Sequence, residues 1–260
     1  MILLRSAVYN LYFWTVTAAM ALASLPVRFL FPGKALAFGK VWVRALLGGL
    51  GPLAGVRLAV TGTEYLPAAG PALIASQHQS AFDTLVWLSL LSRPAYVVKR
   101  ELLRVPFFGP MLRPAGQIPV DRAGGAAALR GLLADADRAI AAGRQVIIFP
   151  EGTRMRPGAV GPLQPGVAAL AAHTGLPVIP VVTDSGRCWG RRGFRKRPGT
   201  IHIAIHPPLA ARLPRQVLLA RLGALYAAGP GSGRKLVENS VESSSAGFPG
   251  DHRNLSHSPD

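Results

Sequence analysis

His78 and Asp83 stand five residues apart in the stretch Gln77-His78-Gln79-Ser80-Ala81-Phe82-Asp83. An imidazole held by a carboxylate through one ring nitrogen is a general base. Its other nitrogen takes a proton from a hydroxyl, and the carboxylate steadies the imidazolium that results. On one continuous helix, five residues correspond to a rotation of about 140°, so the two side chains would not share a face. The pair therefore requires a turn at His78 and a helix whose first turn carries Asp83. Ser80, just ahead of that helix, reads as its cap; the alternative is a nucleophilic serine passing through an acyl-Ser80 intermediate.

A second cluster is Phe149-Pro150-Glu151-Gly152-Thr153-Arg154. The guanidinium fork of Arg154 suits a pair of phosphate oxygens, Gly152 supplies a turn, and Glu151 can hold the arginine or a substrate hydroxyl. An Arg–Glu lock that only shapes the loop would use the same residues. Lys99 and Arg122 offer further positive charge for a phosphomonoester. Metal chemistry has little support: His173, His202, His206, His252 and His257 are dispersed, and His78 and Asp83 lack a third ligand at convincing spacing. Neither Gly-x-Gly-x-x-Gly after the first strand of the body nor a Gly-Lys-Ser/Thr phosphate loop is present.

The elements that must position these residues are short strands alternating with helices. Pro71–Ser76, Ala95–Val98, Gln117–Val120, Gln145–Phe149, Pro177–Val182 and Thr200–His206 read as strands. Phe82–Ser92, Ala126–Ala142 and Val167–His173 read as helices. This alternation predicts an α/β fold, a mostly parallel sheet flanked by helices. His78, Lys99, Arg122, Glu151 and Arg154 each come just after a strand, where the loops of an open parallel sheet meet at a ligand-binding crevice.

The chain has 260 residues, 29 Lys+Arg against 12 Asp+Glu, and one cysteine, Cys188. A single cysteine excludes an internal disulfide and a four-cysteine zinc site. The +17 charge points to a polyanionic partner. Residues 1–63 contain no acid, and 22 uncharged residues separate Arg5 from Arg28. A membrane-spanning helix needs roughly 20 apolar residues, so residues 6–27 are long enough. Tyr9, Tyr12, Phe13 and Trp14 suit an interfacial aromatic belt, and Pro26 marks an expected helix end. A cleaved signal peptide and a buried helix are the competing readings of this run. Val41–Val60, broken by Arg44, Arg57 and glycines, reads as an interfacial or re-entrant helical partner. The basic stretch containing Arg187, Arg191, Arg192, Arg195, Lys196 and Arg197 suits anionic headgroups. No nucleic-acid-binding signature is present, so nucleic acid is not an expected partner. The expected divisions are a membrane-associated helical region at 1–61, an α/β domain at 62–228 and a polar tail at 229–260. The Lys/Arg excess after the first apolar run favours a membrane location with the body facing the cytoplasm.

These blocks resemble the lysophosphatidic acid acyltransferase family. Gln77–Asp83 matches its His-four residues-Asp pattern. Gly116-Gln117-Ile118-Pro119-Val120-Asp121-Arg122, Phe149–Arg154 and Leu176-Pro177-Val178-Ile179-Pro180 follow in the family's order. Lys99-Arg100-Glu101-Leu102 with Pro106-Phe107-Phe108-Gly109 is similar too. Gln77 departs from the Asn that many members carry before the histidine. The resemblance implies an α/β acyltransferase domain behind an N-terminal membrane-associated helical portion. It implies transfer of an acyl group from acyl-CoA or acyl carrier protein to the 2-hydroxyl of 1-acyl-glycerol 3-phosphate, giving phosphatidic acid. His78 would be the base and Asp83 its partner. Arg122, Glu151 and Arg154 would form the glycerol-phosphate site, to which Lys99, by its charge, and Gly152 and Thr153, by their place in the Phe149–Arg154 block, are added as substrate-binding candidates. No fixed cofactor is implied, because the donor thioester is a substrate. Lyso-ornithine lipid and glycerol 3-phosphate are alternative acceptors within the superfamily. A non-catalytic protein that binds anionic lipid is the rival of a different class.

Overall fold

The computed structural model describes residues 1–121, 124–191 and 193–231. The uncharged run folds as α1 (Ile2–Leu30), in which only Ser6, Tyr9 and Ser24 are buried. The helix continues to Leu30, a turn beyond the end expected at Pro26, because a proline removes one ladder bond and Phe31 N–H still reaches the Val27 carbonyl. α2 (Ala35–Gly49) returns antiparallel to it. The Tyr9 hydroxyl donates to the Leu46 carbonyl (3.2 Å), that of Tyr12 to Ala45 (2.8 Å), and Trp42 Nε1 donates to Thr17 Oγ1 (3.2 Å). A Cβ at Gly49 would collide with the Tyr12 ring, so the close approach of the two helices needs glycine there. Tyr9 is fully buried, edge-on to Trp189 at 5.7 Å, and so does not belong to an interfacial belt; Trp14 remains 67% exposed.

Val41–Val60 is not a single helical partner. α2 ends at Gly49, a wide turn covers Leu50–Ala54, and Gly55 takes a left-handed φ of 71° that only glycine adopts without strain. β1 (Val56–Thr61) follows, paired in parallel with a strand far along the chain. An apolar run that passes from helix to strand hides the change, because both periods can be read into a few hydrophobes. Part of the sheet thus precedes residue 62.

The rest of the sheet alternates as the pattern predicts. β2 (Ala72–Ser76) is followed by α3 (Asp83–Leu90) and β3 (Pro94–Lys99). A short 3₁₀ helix (Arg100–Arg104), the single turn α4 (Gly109–Leu112), β4 (Ile118–Val120) and α5 (Gly125–Ala141) come next. Then come β5 (Gln145–Ile148), α6 (Gly166–Thr174), β6 (Val178–Thr183), the turn α7 (Ser185–Cys188), β7 (Gly199–Ile205) and α8 (Arg215–Ala228). The seven strands lie in the order β1-β7-β6-β2-β5-β3-β4. All neighbours are parallel except β6 and β7. The carboxyl ends of β2, β3, β4, β5 and β6 therefore share one edge.

Alternate residues of each strand feed two cores. Ile74, Tyr96, Ile147, Val181 and Ile203 face Val43, Leu46, Phe82 and Trp87, so the α1–α2 hairpin and α3 cover one side. Leu73, Ala75, Val97, Val146 and Ile148 face Leu132, Val167, Leu170 and Leu222, so α5, α6 and α8 cover the other. The N-terminal hairpin is packed into the fold; it is not an appendage on a linker.

Candidate active site

β2 carries the chain to the shared edge, and each backbone N–H from Gln77 to Ser80 finds a fixed acceptor. Gln77 N–H still bonds across to the Val181 carbonyl of β6 (2.8 Å). His78 N–H donates to Glu151 Oε2 at 2.7 Å. Gln79 and Ser80 N–H both donate to Asp83 Oδ2, each at 2.7 Å. The turn is thus wound around one carboxylate oxygen at the first residue of α3. The His78 Nδ1 lies 3.2 Å from the same Oδ2, which places the ring against the turn it belongs to. Ser80 Oγ accepts from Phe82 N–H (3.1 Å) and is fully buried. It tightens the turn ahead of α3 and is not the expected cap, since Phe82 holds the N-cap position and no side chain caps the helix.

The His78 ring stacks on Phe149 at 4.2 Å between centroids and 24° between planes. Its side chain is 12% exposed and that of Asp83 is 3% exposed. With Nδ1 directed at Asp83, Nε2 has no bond among the described residues. A half-sheltered imidazole in this state can accept a proton at Nε2, and the carboxylate is already placed to stabilise the cation. Asp83 is held by three donors, so it is oriented before any substrate arrives.

Glu151 is buried beside this unit, and burial pushes its carboxyl up to about 7. The nearby Asp83 charge acts in the same direction, against the His78 N–H bond. Its Oε1 is buried without a partner among the described residues. The Arg–Glu lock considered for this loop does not form. Arg154 makes no ion pair among the described residues and instead donates to the Arg191 carbonyl at 3.5 Å. The reason is local: Gly152, with φ of 66°, turns the chain after Glu151, and Met155 N–H then bonds the His78 carbonyl (2.7 Å). Glu151 is thereby aimed inward and Arg154 is left half-buried on the loop outside.

The structure brings His78, Asp83 and Glu151 into one hydrogen-bonded unit, with Gly152–Arg154 folded back across it. Thr153 is exposed at the rim, its Oγ1 3.4 Å from an Arg191 guanidinium nitrogen. Lys99 is exposed at the end of β3 on the same edge, without a bond to this unit. Arg122 lies outside the described residues, as do Arg192, His252, His257 and most of the polar tail. Three contributors were not evident in sequence: Phe149 as the stacking platform, and the two glutamines. Gln77 Oε1 accepts from Thr183 N–H and Gln79 Oε1 from Gly186 N–H, each at 3.2 Å. They pin the histidine turn to the loop after β6. Buried amides flanking a histidine at a strand end are the signal that marks them.

Residues 57–184, which run from β1 through this loop, match the Acyltransferase family. That stretch of the chain belongs to the family. A 1-acyl-sn-glycerol-3-phosphate acyltransferase of Pseudomonas aeruginosa is 39% identical over 170 residues, 65% of this chain and 66% of that protein. Another from Limnanthes douglasii is 31% identical over 60% of this chain and 55% of its own length. The human alpha form is 30% identical over 64% and 60%. The chain thus spans just under two thirds of the first of these relatives and less of the other two. The crystal structure of the 1-acyl-sn-glycerophosphate acyltransferase from Thermotoga maritima shares the fold. It superposes with a TM-score of 0.67 at 22% identity, over 96% of this chain and all of that one.

Proposed function

We propose that this acyltransferase moves an acyl group from a thioester donor to the 2-hydroxyl of 1-acyl-glycerol 3-phosphate. The observation that carries this reading is the single Asp83 oxygen that holds both His78 Nδ1 and the turn around it. The names of the relatives support the acceptor. His78 Nε2 takes the hydroxyl proton as that oxygen attacks the thioester carbonyl. A C–O bond forms, the C–S bond breaks, and the proton passes from the imidazolium to the departing thiolate. Asp83 orients the ring and stabilises its charged form. No covalent acyl-enzyme is required, and Ser80, fully buried with its Oγ engaged by Phe82 N–H, is poorly placed to be a nucleophile. Glu151 holds the histidine turn, Arg154 and Lys99 with Gly152 and Thr153 make the rim for the acceptor phosphate, and the family resemblance adds Arg122 to its ligands. The donor is acyl-CoA or acyl carrier protein, both thioesters and both substrates, not fixed cofactors.

The same reading places α1 in a membrane and the body on the cytoplasmic side. α1 is long and apolar enough to cross a bilayer, and only 6% of its most apolar window is buried. The exposure of Leu3, Leu4, Leu11, Trp14 and Leu22 is unfavourable in water and favourable in lipid. The deciding experiment is a donor-and-acceptor panel with the purified chain and product analysis. Lysophosphatidic acid, glycerol 3-phosphate and lyso-ornithine lipid are offered with each donor. Turnover only with another acceptor, or lipid binding with no turnover, overturns the proposal.

A further inference from the structure

Between the end of β3 and α4 the chain exposes four large apolar side chains within seven residues: Leu102 (37%), Val105 (40%), Phe107 (44%) and Phe108 (42%). This segment is held firmly. Val105 N–H bonds the Leu102 carbonyl, Phe108 N–H that of Pro106, and Gly109 N–H that of Val105. A Cβ at Gly109 would strike the Leu103 and Leu102 carbonyls, so the turn closes tightly on glycine. Phe107 has a φ of 62°, and among the described residues it is the one non-glycine in the left-handed region. That conformation is costly for a bulky aromatic, and such strain persists where surroundings or function demand it. Here the strained residue carries an aromatic ring that is 44% exposed.

Two further observations say what covers this surface. Its border is cationic: Lys99, Arg100, Arg104 and Arg113 stand within the segment 99–113 against one acid, Glu101, all four are exposed, and Arg100 has a second acid near it, Asp121 at 4.0 Å. The patch is also continuous with the N-terminal hairpin. Phe108 lies 6.3 Å from the Trp42 ring of α2, Trp42 is bonded to Thr17 of α1, and α4 packs against α1. An apolar, aromatic tip bordered by Arg and Lys beside an apolar helix fits the boundary between acyl chains and anionic headgroups. It does not fit an acidic protein surface as well, because the tip has no polar group to exchange for water.

We propose that Leu102–Phe108 is a second membrane-contact element, a rigid wedge that enters the interface of an anionic bilayer beside α1. It rests on the membrane reading above and deepens it. The wedge follows β3 at the sheet edge that carries His78, so its insertion sets that edge at headgroup depth. A lipid acceptor then reaches the site without leaving the interface.

The test uses the full chain with Cys188→Ala, reconstituted in phosphatidylcholine–phosphatidylglycerol vesicles. One cysteine at a time carries an environment-sensitive fluorophore: Phe107→Cys, Val105→Cys, Leu11→Cys in α1, or Leu129→Cys on α5 across the sheet. The expected result is a blue shift and quenching by shallow spin-labelled lipid at 105 and 107, deeper quenching at 11, and neither at 129. Val105→Cys keeps the test intact if position 107 does not tolerate substitution. Quenching at 11 with water-exposed probes at 105 and 107 overturns the wedge and leaves the α1 anchor standing. No quenching at any position removes the membrane reading as well. Arg100→Gln with Arg104→Gln is expected to reduce the quenching at 105, and an unchanged signal removes the anionic-lipid part of the proposal.

Discussion

Glu151 Oε2 accepts the backbone N–H of His78 at 2.7 Å, so the loop after β5 grips the loop after β2 by its main chain. The two residues are 73 positions apart. Together with the Met155 N–H bond to the His78 carbonyl, this contact clamps the histidine turn from both sides of its peptide unit.

Glu151 should give the protein a stability that falls with rising pH. Its folded carboxyl titrates near 7 against an ordinary value of 4.5. Between those values the folded state binds the extra proton, so the contribution is full below 4.5 and is lost as pH rises through 7. A shift of that size corresponds to about 3 kcal/mol. Thermal unfolding in detergent from pH 4.5 to 8 should show this slope. In Glu151→Gln, whose amide oxygen still accepts the His78 N–H without ionising, the slope should flatten. An identical slope in the variant would assign it to another group.

Removing the base should nearly abolish transfer in a folded protein. His78→Ala is expected to lose on the order of 10²–10⁴-fold in kcat, because an alcohol is too weakly acidic to ionise at neutral pH unaided. Asp83→Asn should also be severely impaired, since a neutral amide stabilises imidazolium less well and its NH₂ group favours the wrong imidazole tautomer. Ser80→Ala should cost stability, about 0.5–1.5 kcal/mol for the lost bond to Phe82 N–H, while turnover continues. Near-normal turnover by folded His78→Ala would sink the mechanism. A trapped acyl-serine lost in Ser80→Ala would move the nucleophile there.

Arg154 is without an acidic partner among the described residues, so its charge is available to substrate. Arg154→Ala should raise KM for the phosphorylated acceptor more than KM for the donor, because alanine replaces neither the charge nor the paired N–H donors. Varying each substrate separately in steady-state assays checks this. Equal effects on both substrates, in a variant that melts normally, would place Arg154 outside the phosphate site.

The exposed apolar face of α1 should keep the chain in the membrane fraction through a high-salt wash. Salt screens basic headgroup contacts but does not weaken burial of apolar surface in lipid. Recovery of full-length protein in the soluble fraction without detergent would reject the anchor.

Local order was legible in the sequence wherever a pattern closed within a few residues. The alternation of short apolar runs with helices marked β2 through β7. The His78–Asp83 spacing demanded a turn leading into a helix, and Oδ2 of Asp83 organises that turn. These depend on backbone periodicity and on side chains within hydrogen-bond reach along the chain. Contacts between distant segments were decided only in three dimensions. The parallel pairing of β1 with β7, the stacking of Phe149 under His78, and the choice of Glu151 for the His78 backbone over Arg154 all depend on strand order. Strand order is set by which apolar faces bury best together, and nothing local encodes it. Tyr9 shows the same division. Its neighbours in sequence suggest an interfacial belt, but the α1–α2 hairpin folds onto the sheet and buries Tyr9 against Trp189, leaving Trp14 outside.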